Sequence, residues 1–228
     1  MNRKFNRDAP SPRYRRLVEQ YRTMHVQGET HLGIPAERTF TGESLPKEAA
    51  RIKRLVKQTG AMTLLDYGAG KGQQYLPARV VDHEEGVDYP DVKAYWGVSE
   101  VRCYDPGYSP FMELPEGKFD GVICTDVLEH CPEEDMPWIV GELFGYARKF
   151  VYANVACFPA RKTLPSGGNA HCTIRPIKWW EELITRAARS HPAVRYEFRL
   201  VYLKGAQFKE RFVATERIES NSENHSSA

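Results

Sequence analysis

Residues 64–75, LLDYGAGKGQQY, run two leucines into Asp66 and then place glycine at 68, 70 and 72. Glycine in a turn after an apolar strand lets the main chain take angles other residues avoid and come close to a ligand. The dinucleotide fingerprint GxGxxG puts its last glycine three positions after the second. Here it follows after two, and Gln73 holds the next place. Asp66 makes the mouth of the turn anionic, which suits a cationic amine better than a pyrophosphate. Further along lie Asp126, Glu129, His130 and His171, the ionisable residues expected at the binding edge of a sheet. A neutral imidazole such as His171, in the glycine-bearing stretch LPSGGNAHCTIRP, can accept a hydroxyl proton. The plainer alternative is a histidine that only bonds backbone.

Positioning these groups requires strands and helices in alternation. MTLLDY (62–67), VRCYD (101–105), FDGVICT (119–125) and FVYANVA (150–156) read as buried strands, and VRYEFRLVYL (194–203) and RFVATER (211–217) as two later ones close together. Helical spacing of apolar residues marks 14–27 (Leu17, Val18, Tyr21, Met24), 46–58 (Ala49, Ile52, Leu55, Val56), 136–148 (Ile139, Leu143, Ala147) and 177–190 (Ile177, Trp180, Ile184, Ala187). Ser44 is placed to cap the second of these helices and Gly60 to end it. The fold expected is α/β and Rossmann-like: a mostly parallel sheet of seven or six strands, helices on both faces, and an antiparallel hairpin at the C-terminal end. Residues 1–12 read as a disordered basic arm, 13–60 as N-terminal helices forming a lid, 61–218 as the main domain, and 219–228 as a disordered tail.

Asp66-x-Gly68-x-Gly70-x-Gly72 resembles motif I of the class I S-adenosylmethionine-dependent methyltransferases. GKFDGVICTDVLEHC (117–131) is similar to the fourth strand and its exit in the ubiquinone-type and related small-molecule branch. The two motifs stand about 55 residues apart in the family's order, and the resemblance spans roughly residues 40 to 215. It implies that Asp66, Tyr67, Gly68, Ala69, Gly70 and Gly72 hold the methionine part of the cofactor and that Asp126 sits where the cofactor and acceptor pockets meet. It also implies an acid at the end of the second strand for the ribose hydroxyls. Asp105 is favoured because Val101–Tyr104 make the better strand. It lies 39 residues past Asp66, against about 20 in a compact unit, which makes 77–100 an insertion. Asp88 has the shorter spacing and is the rival. The helix after motif I is expected to be short, because Pro77 interrupts it.

The reaction implied is methyl transfer to a small molecule or glycan precursor, with oxygen the favoured acceptor atom and His171 the base. Asp126, Glu129 and His130 with the later His171 also resemble the set that binds a divalent cation in small-RNA 2′-O-methyltransferases, so Mg²⁺ and an RNA substrate form the second expectation. A non-catalytic cofactor-sensing module is the third. Trp179 and Trp180 are candidates for an aromatic acceptor wall, and Tyr21, His25, Phe40 and Thr41 for a cofactor lid. The arginines of the first segment are expected to be solvated. Composition fits a soluble protein: 41% hydrophobic, 27% charged and a net charge of +2 over 228 residues. No apolar run is long enough for a membrane span. Five cysteines (103, 124, 131, 157, 172) without a CxxC pair suggest thiols in a cytoplasmic setting.

Overall fold

A computed structural model describes residues 5–215. Strands β1 (Thr63–Tyr67), β4 (Glu100–Tyr104), β5 (Phe119–Thr125), β6 (Ala147–Ala156), β7 (Arg195–Lys204) and β8 (Gln207–Ala214) form one six-stranded sheet in the order β4-β1-β5-β6-β7-β8. All neighbours are parallel except the terminal β7–β8 pair. The chain thus steps from β1 outward to β4, then returns to lay β5 on the other side of β1. That reversal opens a crevice beyond the carboxyl ends of β1, β4 and β5, where open α/β sheets bind ligands.

Alternation along the strands divides the core in two. Leu65, Val122, Cys124, Val151, Ala153, Phe198 and Leu200 face α4 (Met136–Tyr146) and α5 (Ile177–Ala188). Leu64, Ile123, Phe150 and Tyr152 face α2 (Leu45–Thr59) and α3 (Val92–Trp96). Helices therefore cover both faces, as expected. In α2 the stripe Ala49, Ile52, Leu55, Val56 is buried and Gly60 ends the helix with φ 60°. Ser44, however, makes no capping bond to the helix. The helix expected over 136–148 stops at Tyr146, because β6 already begins at Ala147.

The insertion at 77–100 holds a small separate hairpin, β2 (Val80–Asp82) with β3 (Val87–Tyr89), followed by α3. Among the described residues the main sheet has six strands rather than seven, since this hairpin stays apart from it. After motif I there is only a single 3₁₀ turn, Gln73–Tyr75, before Pro77.

The basic arm differs from expectation over its described part. Arg7 forks onto Glu142 and donates to Tyr67 Oη (2.6 Å) and Tyr104 Oη (2.9 Å). Its guanidinium lies 4.6 Å from the Trp138 ring centroid. Ser11 donates its N–H to buried Asp135 (3.0 Å) and caps α1 (Pro12–Gln27) through the Tyr14 N–H. A planar cation facing an aromatic floor and a carboxylate on α4 holds residues that composition alone reads as solvated. Residues 1–4, with Arg3 and Lys4, and the tail from 216 lie outside the described residues.

Candidate active site

A cavity of about 620 Å³ occupies the crevice, within the size range of small-molecule and cofactor sites. Its floor is the glycine turn, one wall is the exit of β5, and its roof comes from α1 and the segment leading to α2. Tyr21, His25, Phe40 and Thr41 all line it.

The glycines serve the geometry in different ways. A side chain at Gly68 (φ 87°) would overlap Val127, the residue after Asp126. One at Gly70 (φ 58°) would stand 3.1 Å from the Phe40 carbonyl oxygen. Gly72 does not reach the cavity; its missing side chain makes room for the Phe111 ring, which would lie 2.8 Å from a Cβ there. Four of the turn's own amides are already used. Gly68 and Ala69 donate to the Tyr104 carbonyl (2.7 and 3.1 Å), Gly70 to Asp105 Oδ2 (2.9 Å), and Gly72 to Ala69 (3.1 Å). The turn leads into the single 3₁₀ turn Gln73–Tyr75 rather than an α-helix, so the helix N-terminus that cradles phosphate after such turns is missing there.

Asp66 departs from expectation. It is 1% exposed and does not line the cavity. Tyr75 Oη (2.8 Å) and Gln74 Nε2 (3.0 Å) both donate to its Oδ2. Burial raises its pKa to about 6, and those two hydrogen bonds limit the rise. The charge expected at the mouth thus lies behind Gln74, a cavity-lining residue whose Oε1 is buried beside Gly42 without a hydrogen-bond partner among the described residues. Tyr67 turns its hydroxyl to Glu142 (2.7 Å), away from any ligand role for that atom.

The two rival acids separate cleanly. Asp105 follows β4, the parallel neighbour of β1, and lines the cavity. It accepts from Gly70 and, at 2.8 Å, from Gly107. Burial raises its pKa to about 6 against those backbone bonds. Asp88 sits on β3 of the separate hairpin and pairs with Arg79 at 2.5 Å.

Asp126 lines the cavity at the exit of β5 with φ 60°, a left-handed geometry costing a non-glycine residue about 1–2 kcal/mol. Ser44 donates to its Oδ2 (2.5 Å), and its N–H donates to Asn154 Oδ1 (3.1 Å). The serine expected to cap α2 instead ties the roof to the sheet. Such strain gathers at sites where surrounding structure over-determines the backbone.

The histidines converge. The rings of His130 and His171 stand 4.9 Å apart, edge to face, and both line the cavity. His171 Nδ1 lies 2.6 Å from the Phe158 carbonyl. A carbonyl can only accept, so Nδ1 carries a proton, and in the neutral ring it is Nε2 that has the lone pair. Asn169 fixes the loop beneath it by accepting from the N–H groups of His171 and Ala160 and donating to the Ala160 carbonyl. His130 Nδ1 lies 3.0 Å from both the Ala170 carbonyl and Tyr21 Oη. Burial, then the neighbouring His171, lowers its pKa to about 4, so it is neutral near pH 7.

Glu129 does not join them. It is 0% exposed, lies outside the cavity lining, and accepts from the Ala156 N–H (2.8 Å). Burial, then the charge of Asp126, raises its pKa well above the usual carboxylate range. Its service is to hold the end of β6. Among the described residues no group of three or more His, Cys, Asp or Glu is arranged to hold a metal ion. The 126–129–130–171 set therefore does not assemble as a cation site.

Trp180 is fully buried and Trp179 packs against the same core, so neither forms an acceptor wall. The aromatic pair in the cavity lining is instead Phe158 and Phe208, whose centroids are 5.0 Å apart. Phe208 is 59% exposed and comes from the start of β8. Phe158, Phe208, Gln74 and Val127 are contributions that the sequence reading missed. Only the polar alternation broken by Phe208 in QFKER carries a local signal. No family model matches the chain, and no curated protein matches it. No described helix is long and apolar enough to cross a membrane.

Proposed function

We propose that the protein is an S-adenosylmethionine-dependent methyltransferase acting on a small-molecule or glycan-precursor acceptor, at an oxygen atom. The observation that carries this reading is the glycine turn whose Gly68, Ala69 and Gly70 amides are satisfied internally. A switch-point turn that spends these amides on the protein, with an acid at the end of the neighbouring strand, suits a nucleoside without phosphates at that place. It disfavours a dinucleotide. The fit of that cofactor rests on a bare turn at the cavity floor, where Gly68 lies close against Val127 and Gly70 against Phe40. It rests also on Asp105, which lines the cavity at the end of the strand beside β1.

When bound, the cofactor supplies an electrophilic methyl group. The chain's own share is orientation, removal of water and removal of one proton. Gly68–Gly70 with Gln74 hold the amino-acid end and Asp105 the ribose. Asp126, near the junction, fixes the roof through Ser44. His171 Nε2 takes the hydroxyl proton, with His130 packed against its ring, and Phe158 and Phe208 flank the acceptor. The metal-assisted RNA alternative is the less supported reading, because no group of three or more His, Cys, Asp or Glu among the described residues is arranged to hold a metal ion.

The test is calorimetry with S-adenosylhomocysteine. Binding at one site to the wild type, lost in Gly70→Val, is the expected result. The absence of binding heat with either the methyl donor or its demethylated product would overturn the proposal.

A further inference from the structure

The side chain of Arg7 ends where the glycine turn begins. Tyr67 closes β1 and precedes Gly68, and Tyr104 closes β4 and precedes Asp105. The two tyrosines are partners in the parallel register of β1 and β4, with ring centroids 5.0 Å apart. One guanidinium gathers both hydroxyls: Arg7 Nη2 donates to Tyr67 Oη (2.6 Å) and Nη1 to Tyr104 Oη (2.9 Å). Nε and Nη2 also donate to the two carboxylate oxygens of Glu142 on α4, Nε at 2.8 Å. Tyr67 Oη donates to that same carboxylate.

What hangs on those strand ends is the floor of the cavity. The Tyr104 carbonyl accepts from Gly68 and Ala69, and Asp105 accepts from Gly70. A shift of Tyr104 therefore moves the turn and Asp105 together. The same arm leads into the roof. Ser11 caps α1 and donates its N–H to Asp135, and α1 then carries Leu17, Val18 and Tyr21 over the cavity. An exposed ion pair would contribute little. Here the tyrosines are only 3% and 1% exposed, and a planar fork fixes direction as well as charge.

We infer that Arg7 is a positioning residue for the cofactor: its fork sets the ends of β1 and β4, and with them the glycine turn and Asp105, against α4 and the roof. Arg7 does not line the cavity and acts through the two tyrosines. The inference rests on the methyltransferase reading and adds to it a requirement for the N-terminal arm.

Calorimetry with S-adenosylhomocysteine on the wild type, Arg7→Met, Arg7→Lys and Tyr104→Phe tests the role, at a temperature where thermal melts show each variant folded. Arg7→Met should weaken binding about tenfold, the scale of one hydrogen bond. Tyr104→Phe keeps the ring, removes only the hydroxyl, and should also weaken it. Arg7→Lys separates positioning from stability. Its compact ammonium still faces Glu142 but cannot span two hydroxyls and a carboxylate, so the Tm should recover while the affinity does not. Wild-type affinity in all three variants, or affinity that returns with the Tm in Arg7→Lys, makes the arm a structural clamp and overturns the positioning role while leaving the cofactor reading intact. Failure of the wild type to bind overturns the cofactor reading, and the role of Arg7 falls with it.

Discussion

Asp66→Asn should make the ligand-free protein more stable near neutral pH. The carboxylate is fully buried, both of its partners donate to the same oxygen, and Oδ1 has none. Burial raises its pKa from 3.8 to about 6. Between those values the folded state keeps a proton that the unfolded chain has released. Stability therefore falls as pH rises through this window, and the cost is complete above about pH 6. Two units correspond to about 3 kcal/mol. Asparagine stands in for the uncharged acid, since its carbonyl can still accept from Tyr75 and Gln74 while its NH2 group, with two donors, takes the partnerless place. At pH 8 the variant should gain up to about 3 kcal/mol, a rise in Tm of about 6–12 °C for a domain of this size. Urea unfolding of both proteins at intervals from pH 3.5 to 8 reads the effect. The difference between them cancels titrating groups that do not interact with residue 66; Asp105, whose charge adds to the rise at Asp66, does not cancel. A variant no more stable than the wild type at pH 8, or a gap that persists below pH 4, would refute the assignment of a buried, under-solvated charge.

Three further outcomes are expected. Gly68→Ala should destabilise by about 2 kcal/mol or more through left-handed strain and overlap with Val127, and Val127→Ala in the same chain should recover part of the loss in a double-mutant unfolding cycle. His171→Ala should lower kcat by about 10²–10⁴-fold once an acceptor is in hand, leaving the calorimetric affinity for S-adenosylhomocysteine unchanged. Glu48, 2% exposed on α2, accepts from Arg199 (2.5 Å) and from Tyr152 Oη, so Glu48→Ala strands the Tyr152 hydroxyl and leaves Arg199 to Glu210 alone, and should cost about 2 kcal/mol in denaturant unfolding.

Wherever a few neighbouring residues carry the pattern, the elements were legible. The six main strands and the helices at 14–27, 46–58 and 177–190 announce themselves through side-chain periodicity, because burial on one face selects apolar residues at 2.0 or 3.6 spacing. Strand quality favoured Val101–Tyr104 over the segment around Asp88, and that strand is the one that pairs with β1. The misses share one cause. Trp179 and Trp180 look like a ligand wall until α5 is seen to pack them against the core. Arg7 looks solvated until Glu142, 135 residues away, comes beneath it.

By itself the sequence determined an alternating α/β chain, a glycine turn after its first sheet strand, and the residues competent to move a proton. Tertiary structure decided which of those residues meet. It withdrew Asp66 and Glu129 into the interior, brought His130 and His171 within 4.9 Å, and set His25 opposite Asp105. Local spacing is written in neighbouring residues, because secondary structure repeats over a few positions. Which carboxylate faces a cavity depends on the crossing from β1 to β4 and back to β5, and on a roof folded over from α1. Those contacts join residues tens of positions apart, and no short stretch of sequence encodes them.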